Sequence, residues 1–476
     1  MSNDNTIVQE NVYTITATAP NNIQRAGVII SQGGTTASVG SSTAYLSKTA
    51  LKAAIVPSAA ISGLAWASGT VTVTTTVSHG IPTSTQFRAT ISGCSPTGYN
   101  GSFLCTVTDT NEFTYALTEN PGAETNFGGW QPQSSVELSQ FYNTFYQNPA
   151  AQAMPIYVLE FGFGTDAAGV SSLSTWLTAN AGAGVPYEWY IHIVPRSWAS
   201  ETTFKTLANA YISNTSKKYF FTTVTASNYS ALAGIKSIFA LIESPDADTE
   251  SSDGEWTIAS AAYVPLNWYP TATKKITPMV FADQYGVTPW PLRGNISTLE
   301  TYKAANLNYI DTGAEGGSTN TILKWGKTLD GNLFNYWYAV DAVQITGQQA
   351  VAKAIMDGSQ TNTDQPLFYD QPGINRLQDV LATQMGVLQS ASVLYGNVVK
   401  TTFSYGDLQT VISQIQAENS PYLGMTVVNA EPQASYSVRN PEDYGSGVYN
   451  GLTTIFVPQQ AFSRIVVNNY VANFIA

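Results

Sequence analysis

Apolar segments of strand length alternate with segments of helical spacing between residues 131 and 300, and this alternation limits the possible folds most strongly. The apolar segments are residues 156–161, 189–194, 219–224 and 237–242. Helical spacing separates the first three of them, at 170–181 and 202–212. Buried strands that alternate with helices are typical of a mostly parallel sheet. The sequence therefore predicts an α/β domain over 131–300.

A different pattern precedes this domain. Residues 68–77 (SGTVTVTTTV) show a period-2 alternation of polar and apolar side chains, which is typical of a half-buried strand. Three further short strands follow, separated by Gly-, Pro- and Asn-containing turns. These features predict a small all-β module at 64–120, inserted into the chain. The Gly- and Asn-rich residues 120–129 read as a linker.

The remaining segments complete a multidomain chain. Its fold class is α/β, and the chain taken as a whole is α+β. Residues 21–63 are predicted to belong to an assembly core. Residues 301–462 form a predicted C-terminal assembly domain, in which 335–344 are strand-like and 348–356 helical. Its strongest helical stripe runs over 374–395, and a shorter helix is expected at 408–417.

Both ends of the sequence are rich in β-branched and aromatic residues. We therefore predict an N-terminal arm (1–20) and a C-terminal arm (463–476), each adding a strand to a sheet edge of the same molecule or of a neighbour. The predicted interface side chains are Ile7, Val8, Val12, Tyr13, Ile15, Ile465, Val466, Val467, Tyr470, Val471, Phe474 and Ile475.

The composition is typical of a subunit that buries much of its surface in contacts with other chains. Only 11% of the 476 residues are charged, whereas 27 are Tyr and 10 are Trp; soluble proteins typically carry about 25% charged residues. The net charge of −12 and the lack of a Lys/Arg run argue against direct nucleic-acid binding. No apolar run approaches the ~20 residues of a membrane helix, and the first residues do not resemble a signal peptide. Folding in a cytosol is expected, with Cys94 and Cys105 as free thiols.

Residues that usually carry catalysis are scarce. The two histidines, His79 in a turn and His192 in a strand, are better explained as structural, and they form no zinc-site spacing with the two cysteines. Gly162 and Gly164 lie between a strand and a helix, as in a dinucleotide-binding turn, but the acidic partner expected at the end of the next strand is missing, so an ordinary β-to-α turn is the better interpretation. The segment 326–328 (GKT) resembles the end of a phosphate loop without its first glycine.

An acidic, serine-rich segment is the remaining candidate. It contains Asp246, Asp248, Glu250, Asp253 and Glu255. Calcium prefers such oxygen ligands, but the spacing departs from the known calcium-loop pattern, so a solvated surface loop is the better interpretation. No catalytic residue, cofactor site or metal site is predicted, and the sequence favours a protein that is not an enzyme.

Residues 300–396 resemble the contractile-tail sheath proteins of myovirus-type bacteriophages. The resemblance rests on 308–311 (NYID), 325–331 (WGKTLDG), 337–341 (WYAVD) and the helical stretches 349–356 and 376–385. The all-β module is similar to a decoration-type insert of phage virion proteins, through residues 70–74 (TVTVT), 79–80, 91–93, 99–101 and 113–115.

The resemblance implies a structural protein of the virion, assembled in the host bacterial cytoplasm. Sheath subunits stack as hexameric rings in a helical array around the tail tube, exchange terminal strands, and contract to drive the tube through the host envelope for genome ejection. The implied partners are further copies of the chain, the tail tube protein, and the baseplate and tail terminator proteins. Two alternatives remain: another virion component, such as a tail fibre, baseplate or host glycan-binding protein, and an α/β nucleotide-binding enzyme.

Overall fold

The computed structural model describes residues 23–149, 151, 154–292, 294–313, 320–361 and 363–462. All twelve predicted interface side chains of the two arms lie outside these residues. The described part has the mixed α/β architecture with several sheets that the sequence predicts.

The strands and helices are numbered here in chain order. The strands are β1 (Gly27–Ser31), β2 (Ser41–Tyr45), β3 (Ala59–Ala67), β4 (Thr70–Thr75), β5 (Gln86–Ser92), β6 (Gly101–Asp109), β7 (Glu112–Ala116), β8 (Gly129–Pro132), β9 (Ile156–Glu160), β10 (Ile191–Ile193), β11 (Tyr219–Val224), β12 (Ile238–Ile242), β13 (Tyr309–Gly313), β14 (Asn320–Lys324), β15 (Leu394–Tyr395), β16 (Val398–Thr401), β17 (Thr426–Ala430), β18 (Leu452–Ile455) and β19 (Val457–Pro458). The helices are α1 (Lys48–Ala54), α2 (Gln133–Phe145), α3 (Asp166–Ala179), α4 (Thr202–Asn209), α5 (Thr257–Leu266), α6 (Ile296–Ala304), α7 (Phe334–Gly358), α8 (Gln371–Ser390), α9 (Tyr405–Gln416), α10 (Gln433–Arg439) and α11 (Asp443–Ser446).

A six-stranded sheet forms the centre of the molecule, in the order β12-β11-β10-β1-β9-β2. All neighbouring pairs are parallel except β2 with β9. Because side chains alternate between the faces of a strand, Ile29 belongs to one core and Val28 and Ile30 to the other. Helices α2, α5, α7 and α8 cover the first face, and α3, α4 and α6 cover the second. This is the arrangement expected for buried parallel strands.

Two of the six strands come from residues 21–63, ahead of the predicted α/β domain. Strand β1 lies between β9 and β10, so the sheet cannot form from 131–300 alone. On the far side, Asn308 forms an isolated bridge with Leu241 of β12 and extends the sheet edge into the predicted C-terminal domain. The predicted domain limits therefore cut through one continuous sheet and its two cores.

The all-β module is a closed barrel with strand order β3-β4-β7-β6-β5-β8. Its interior is filled by large apolar side chains, among them Phe87, Phe113 and Trp130, whose rings meet edge to face. The barrel has two strands more than the predicted four-stranded meander and extends from Ala59 to Pro132. Strand β8 follows directly on the predicted linker and pairs with both β3 and β5, because closure removes the exposed strand edges of an open meander.

Helix α7 corrects the prediction of a strand at 335–344. The residues Phe334, Trp337, Tyr338, Asp341 and Ala342 recur at helical spacing, and all are less than 9% exposed. The aromatic and β-branched residues favour a strand by composition. The buried residues, however, lie on one face of a helix, and burial of that face stabilises the helix. Helix α8 packs against α7 so closely that a Cβ on Gly347 would lie 3.1 Å from a methyl carbon of Leu381.

Three small sheets lie in the described residues after 301, and the first is the antiparallel pair β13–β14. Strand β17 is central in the order β16-β17-β18, parallel to β16 and antiparallel to β18. Strands β15 and β19 form a second, two-stranded pair. Helix α8 covers one side of the three-stranded sheet, and Gln378 donates from its amide to the carbonyls of Thr401 and Val428.

Candidate functional site

The first place to look for a ligand is the carboxyl edge of the six-stranded sheet. The chain passes from β1 to β9 on one side and then to β10 on the other, so a topological switch point lies between β1 and β10. Ligands of open α/β sheets bind in the crevice at such a point. Here the crevice is filled by Gln32 and Trp198, whose indole nitrogen donates to the Gln32 side-chain oxygen at 2.9 Å.

The predicted nucleotide turn beside this crevice is occupied by the chain itself. Glu160 ends β9 and is 1% exposed, and its two carboxylate oxygens accept five hydrogen bonds. The donors are the backbone N–H groups of Gly33, Thr35 and Gly162 and the hydroxyls of Ser31 and Thr35. A bound phosphate would need such backbone donors. Gly162 therefore serves a carboxylate of its own chain, at a φ of +71°.

The barrel closes the same edge from outside. Arg88 of β5 forms an ion pair of 2.6 Å with Asp166, the first residue of α3, and the Ser197 hydroxyl donates to the other Asp166 oxygen at 2.7 Å. The space left among these groups is about 10 Å³, which is about the volume that one water molecule requires. A nucleotide does not fit in this crevice.

A second charged cluster secures the elements around β12. The Arg196 guanidinium contacts both carboxylate oxygens of Glu243 at 3.0 Å, the Gln140 side-chain oxygen at 2.6 Å and the backbone carbonyl of Glu255 at 3.0 Å. Its backbone N–H donates to Glu137 of α2, and burial raises the pKa of that carboxyl to about 7. These contacts fasten α2, β12 and the start of α5 to one another.

The acidic segment forms part of this fastening. Glu255 accepts from the Thr288 N–H, and Asp248 accepts from the N–H groups of Glu250 and Ser251 in a turn. Among the residues that the structure describes, no group of three His, Cys, Asp or Glu side chains could hold a metal ion. The prediction that this segment is a surface loop agrees with the exposed positions of Asp246, Asp248, Glu250 and Asp253.

The remaining candidates have structural roles. The Lys327 N–H donates to the Asn308 side-chain oxygen, and the Thr328 hydroxyl donates to Asp330, so the GKT segment is a tight turn. His79 accepts from the Ile81 N–H and packs in the barrel. His192 is completely buried, which lowers its pKa to about 3.

Both cysteines are free and buried in the barrel. Burial raises the pKa of the Cys105 thiol to about 12 and that of Cys94 in the same direction. A thiol in such surroundings behaves as a small apolar group.

The segments that carry the family resemblance converge in the structure. The amide of Asn308 donates to the carbonyls of Ala240 and Lys327, which ties β12 to the 325–331 turn. Asp330 of that turn accepts from the Trp337 indole N–H at 2.9 Å. The three segments therefore act together to hold helix α7 against the sheet.

One turn further along α7, Asp341 accepts from the hydroxyls of Tyr190 and Tyr219 at 2.8 and 2.9 Å. Burial raises the pKa of this carboxyl to about 6. Tyr190 immediately precedes β10 and Tyr219 begins β11, so the aspartate provides a polar anchor between the helix and the sheet.

The three-stranded C-terminal sheet has open edges. Within the described ranges, neither β16 nor β18 has a strand on its outer side. The Glu431 N–H donates to the carbonyl of Gly451, the residue opposite it. This bond shows which residues of β18 turn their backbone groups toward β17 and which turn them away. By that alternation, Leu452 and Thr454 direct their N–H and C=O groups away from β17. These unpaired groups could accept an added strand.

Large apolar side chains are also exposed in this part of the molecule. Residues 355–462 contain eleven of the twenty-three large apolar side chains that are exposed among the described residues. The most exposed are Val438 at 85%, Phe462 at 77% and Phe368 at 69%.

The sequence pattern did not indicate Glu160, Arg196 or Thr454 as residues of a site. Glu160 and Arg196 each lie at the carboxyl end of an apolar strand, which is the only local signal for their position. Thr454 carries no signal, because the outward direction of its N–H depends on the register with β17.

Comparison with family models and with curated proteins gives no match for this chain. Among solved structures, the chain is similar to the sheath tail protein Lin1278 from Listeria innocua, with 9% identity. The similarity covers 78% of this chain and 86% of that protein, with a TM-score of 0.40. This likeness is too distant to assign a function.

None of the helices within the described ranges combines the length and the apolar character that crossing a membrane requires.

Proposed function

We propose that the chain is a structural, non-catalytic subunit of a phage contractile tail sheath, which assembles with copies of itself by exchanging strands. The observation that carries the proposal is the open outer edge of β18. The strand-prone residues 7–15 and 465–475 have the composition that pairs with such an edge.

Strand addition would supply both affinity and register. Backbone hydrogen bonds from Leu452 and Thr454 would bind an incoming strand, and its alternating side chains would select one alignment. The outer strand β16 carries Lys400, an exposed charge of the kind that protects edges from unspecific pairing. Edge β18 carries no charged side chain, so it is the better acceptor.

In the complete assembly, the subunits would stack as hexameric rings around a tail tube, between a baseplate and a tail terminator. Contraction would be a change between two sets of subunit contacts, of which the contracted set has the lower free energy. This mechanism requires no nucleotide.

The proposal is tested by removing either partner of the strand exchange. Deletion of residues 1–19 or 463–476, or the substitution Thr454→Pro, should leave a folded protein that no longer polymerises. Proline removes the outward N–H and is tolerated on edge strands, and Thr454→Val is the matched control that keeps this N–H. Electron microscopy of the purified proteins should show tubes for the wild type and for Thr454→Val.

Two results would contradict the proposal. A wild-type chain that stays monomeric at high concentration would exclude self-assembly. Tubes formed by a truncated chain would exclude strand exchange for the arm that was removed.

A further inference from the structure

A cationic cleft lies at the amino edge of the six-stranded sheet, just before β1. It has a volume of about 300 Å³ and is lined by Arg25, Tyr269, Thr271, Tyr338, Gln349 and Gln384, among others. The Arg25 guanidinium stacks 4.5 Å from the centre of the Tyr269 ring, and the Lys274 ammonium lies 5.8 Å from the same ring. Arg25 therefore lines the cleft and Lys274 lies beside it on the same ring, in a chain whose net charge is −12.

Arg25 has no anionic partner within the described part of the chain. Its Nε is inaccessible to solvent and forms no hydrogen bond there, and no described carboxylate lies within ion-pair distance of it. A partly buried guanidinium without a hydrogen-bonding acceptor is costly, and its planar donors match a carboxylate. The cleft thus has the chemistry of a site for an acidic group from another chain.

The opposite edge of the same sheet offers such acidic groups. Residues 246–255, which we call the acidic loop, follow the carboxyl end of β12. Within the described residues, the carboxylates of Asp246, Glu250 and Asp253 take part in no ion pair or hydrogen bond. The acidic loop is held on α2, because Gln140 and Asn143 donate to the carbonyls of Ser251 and Ser252 at 2.8 and 3.1 Å. A loop fixed in this way loses little conformational entropy on binding.

The acidic loop cannot reach the cleft of its own molecule. Strands β1 and β12 are part of one parallel set, so Arg25 precedes the sheet at its amino edge and the acidic loop follows it at its carboxyl edge. A strand of five residues separates these edges by roughly 15 Å. Two different patches that complement each other on opposite edges form a head-to-tail contact, which builds rings or open filaments.

We propose that the acidic loop of one copy docks in the Arg25 cleft of the next copy and directs head-to-tail assembly. This contact rests on the self-assembly proposed above, but it involves neither terminal arm and neither edge of the β16–β18 sheet. Because the contact is between charges, it adds mainly specificity and association rate, and it weakens as salt rises.

The test uses two charge-reversed forms of the full chain. The cleft variant carries Arg25→Glu and Lys274→Glu, and the loop variant carries Asp246→Lys and Glu250→Lys. Each should raise the protein concentration required for assembly by about tenfold or more, measured by sedimentation velocity and electron microscopy. Controls with the same change of charge are Lys52→Glu with Lys205→Glu, and Glu119→Lys with Asp364→Lys, all at exposed positions.

Mixing the two variants gives the decisive result. The loop variant retains an intact cleft and the cleft variant retains an intact loop, so at a concentration at which each variant alone is monomeric the mixture should contain a dimer. Arg25→Gln provides a milder cleft variant, and thermal unfolding of each protein shows whether its fold is intact.

The outcomes separate this contact from the proposed function. If the wild type and both variants form tubes equally, or if the mixture forms no dimer, the contact is excluded while the sheath proposal stands. If only the cleft variant is impaired, the cleft binds another segment, such as residues 1–22, and the acidic loop is not its ligand. A wild type that remains monomeric excludes both proposals.

Discussion

The two charged clusters at the carboxyl edge of the main sheet contrast with the ion pairs of the C-terminal part. Arg196 and Glu243 are 16% and 9% exposed and lie within a network, whereas Lys400 and Asp379 are 54% and 58% exposed. Glu160 is buried with five donors, whereas Leu452 and Thr454 direct their backbone groups outward. The Glu160 and Arg196 clusters are satisfied within the molecule, whereas the outer edge of β18 leaves backbone groups available to another chain.

This difference separates the contacts that stabilise the fold from the groups that the proposed assembly would use. Buried polar groups contribute to folding because the loss of one partner leaves the others unsatisfied. Exposed pairs contribute little to folding, since water and salt replace them readily. Substitutions in the first region should therefore change the free energy of unfolding, and substitutions at the second region's edges should change assembly.

The largest effect on folding is expected at Glu160. Glu160→Leu leaves five donors without their acceptor, three of them backbone N–H groups, and should lower the free energy of unfolding by about 3–5 kcal/mol. Urea unfolding of the unassembled chain measures this change. Glu442→Leu, at an exposed position of the C-terminal part, is the matched control and should change it by less than about 0.5 kcal/mol. Equal effects of the two substitutions would remove the distinction between the regions.

A pH dependence is expected from Glu137. Burial raises the pKa of its carboxyl from 4.5 to about 7, so the folded state holds a proton that the unfolded state releases. The resulting stabilisation is complete below pH 4.5 and is lost as the pH rises through 7, a change of about 3 kcal/mol. Glu137→Gln should flatten the stability profile over this window.

Two other buried groups contribute to the same profile. Asp341, with its pKa raised to about 6, acts in the same direction, and His192, with its pKa lowered to about 3, acts in the opposite direction below pH 6.5. Comparison of Glu137→Gln with the wild type isolates the contribution of Glu137. An unchanged slope between pH 4.5 and 7 would contradict its raised pKa.

A smaller effect is expected where the barrel meets the sheet. Arg88→Ala removes the ion pair to Asp166, which is 5% exposed and keeps its hydrogen bond from Ser197. We expect a loss of about 1–2 kcal/mol, because Arg88 itself is partly solvated. Calorimetry should then show the barrel and the sheet unfolding less cooperatively, and Arg88→Lys should restore part of the loss. No change on Arg88→Ala would mean that Phe87 and Phe163 hold the barrel in place by themselves.

The smallest effect is expected at Lys400. Lys400→Ala breaks an exposed ion pair with Asp379 and should lower the free energy of unfolding by less than about 0.5 kcal/mol. Urea unfolding at low and high salt checks this value. A loss greater than that for Arg88→Ala would contradict the contrast between buried and exposed pairs.

Much of the secondary structure follows from local pattern. The strands at 156–161, 219–224 and 237–242 and the helices at 170–181 and 408–417 were predicted within a few residues, because each shows a clear apolar run or a helical stripe. The strand predicted at 335–344 was wrong, since aromatic composition outweighed the helical spacing of Phe334, Trp337, Tyr338 and Asp341. The end of the predicted helix at 374–395 was also wrong, because Leu394 and Tyr395 pair with β19.

The contacts of the site residues depend more strongly on tertiary structure than the secondary structure does. The acidic loop and the turns at Gly162 and Lys327 were found in the sequence, but their hydrogen-bond partners are as distant as Ser31 and Asn308. The interface residues predicted in both arms stay predictions, because they lie outside the described residues.

The α/β class, the all-β module and the low content of charge can be read from the amino-acid sequence alone, because they depend on short-range periodicity and composition. Tertiary structure was needed to show that β8 closes the barrel, that Glu160 fills the predicted nucleotide turn and that the backbone N–H and C=O of Thr454 point away from β17. Each of these depends on pairing or contact between residues far apart in the chain, and local spacing carries no information on which distant group will be the partner.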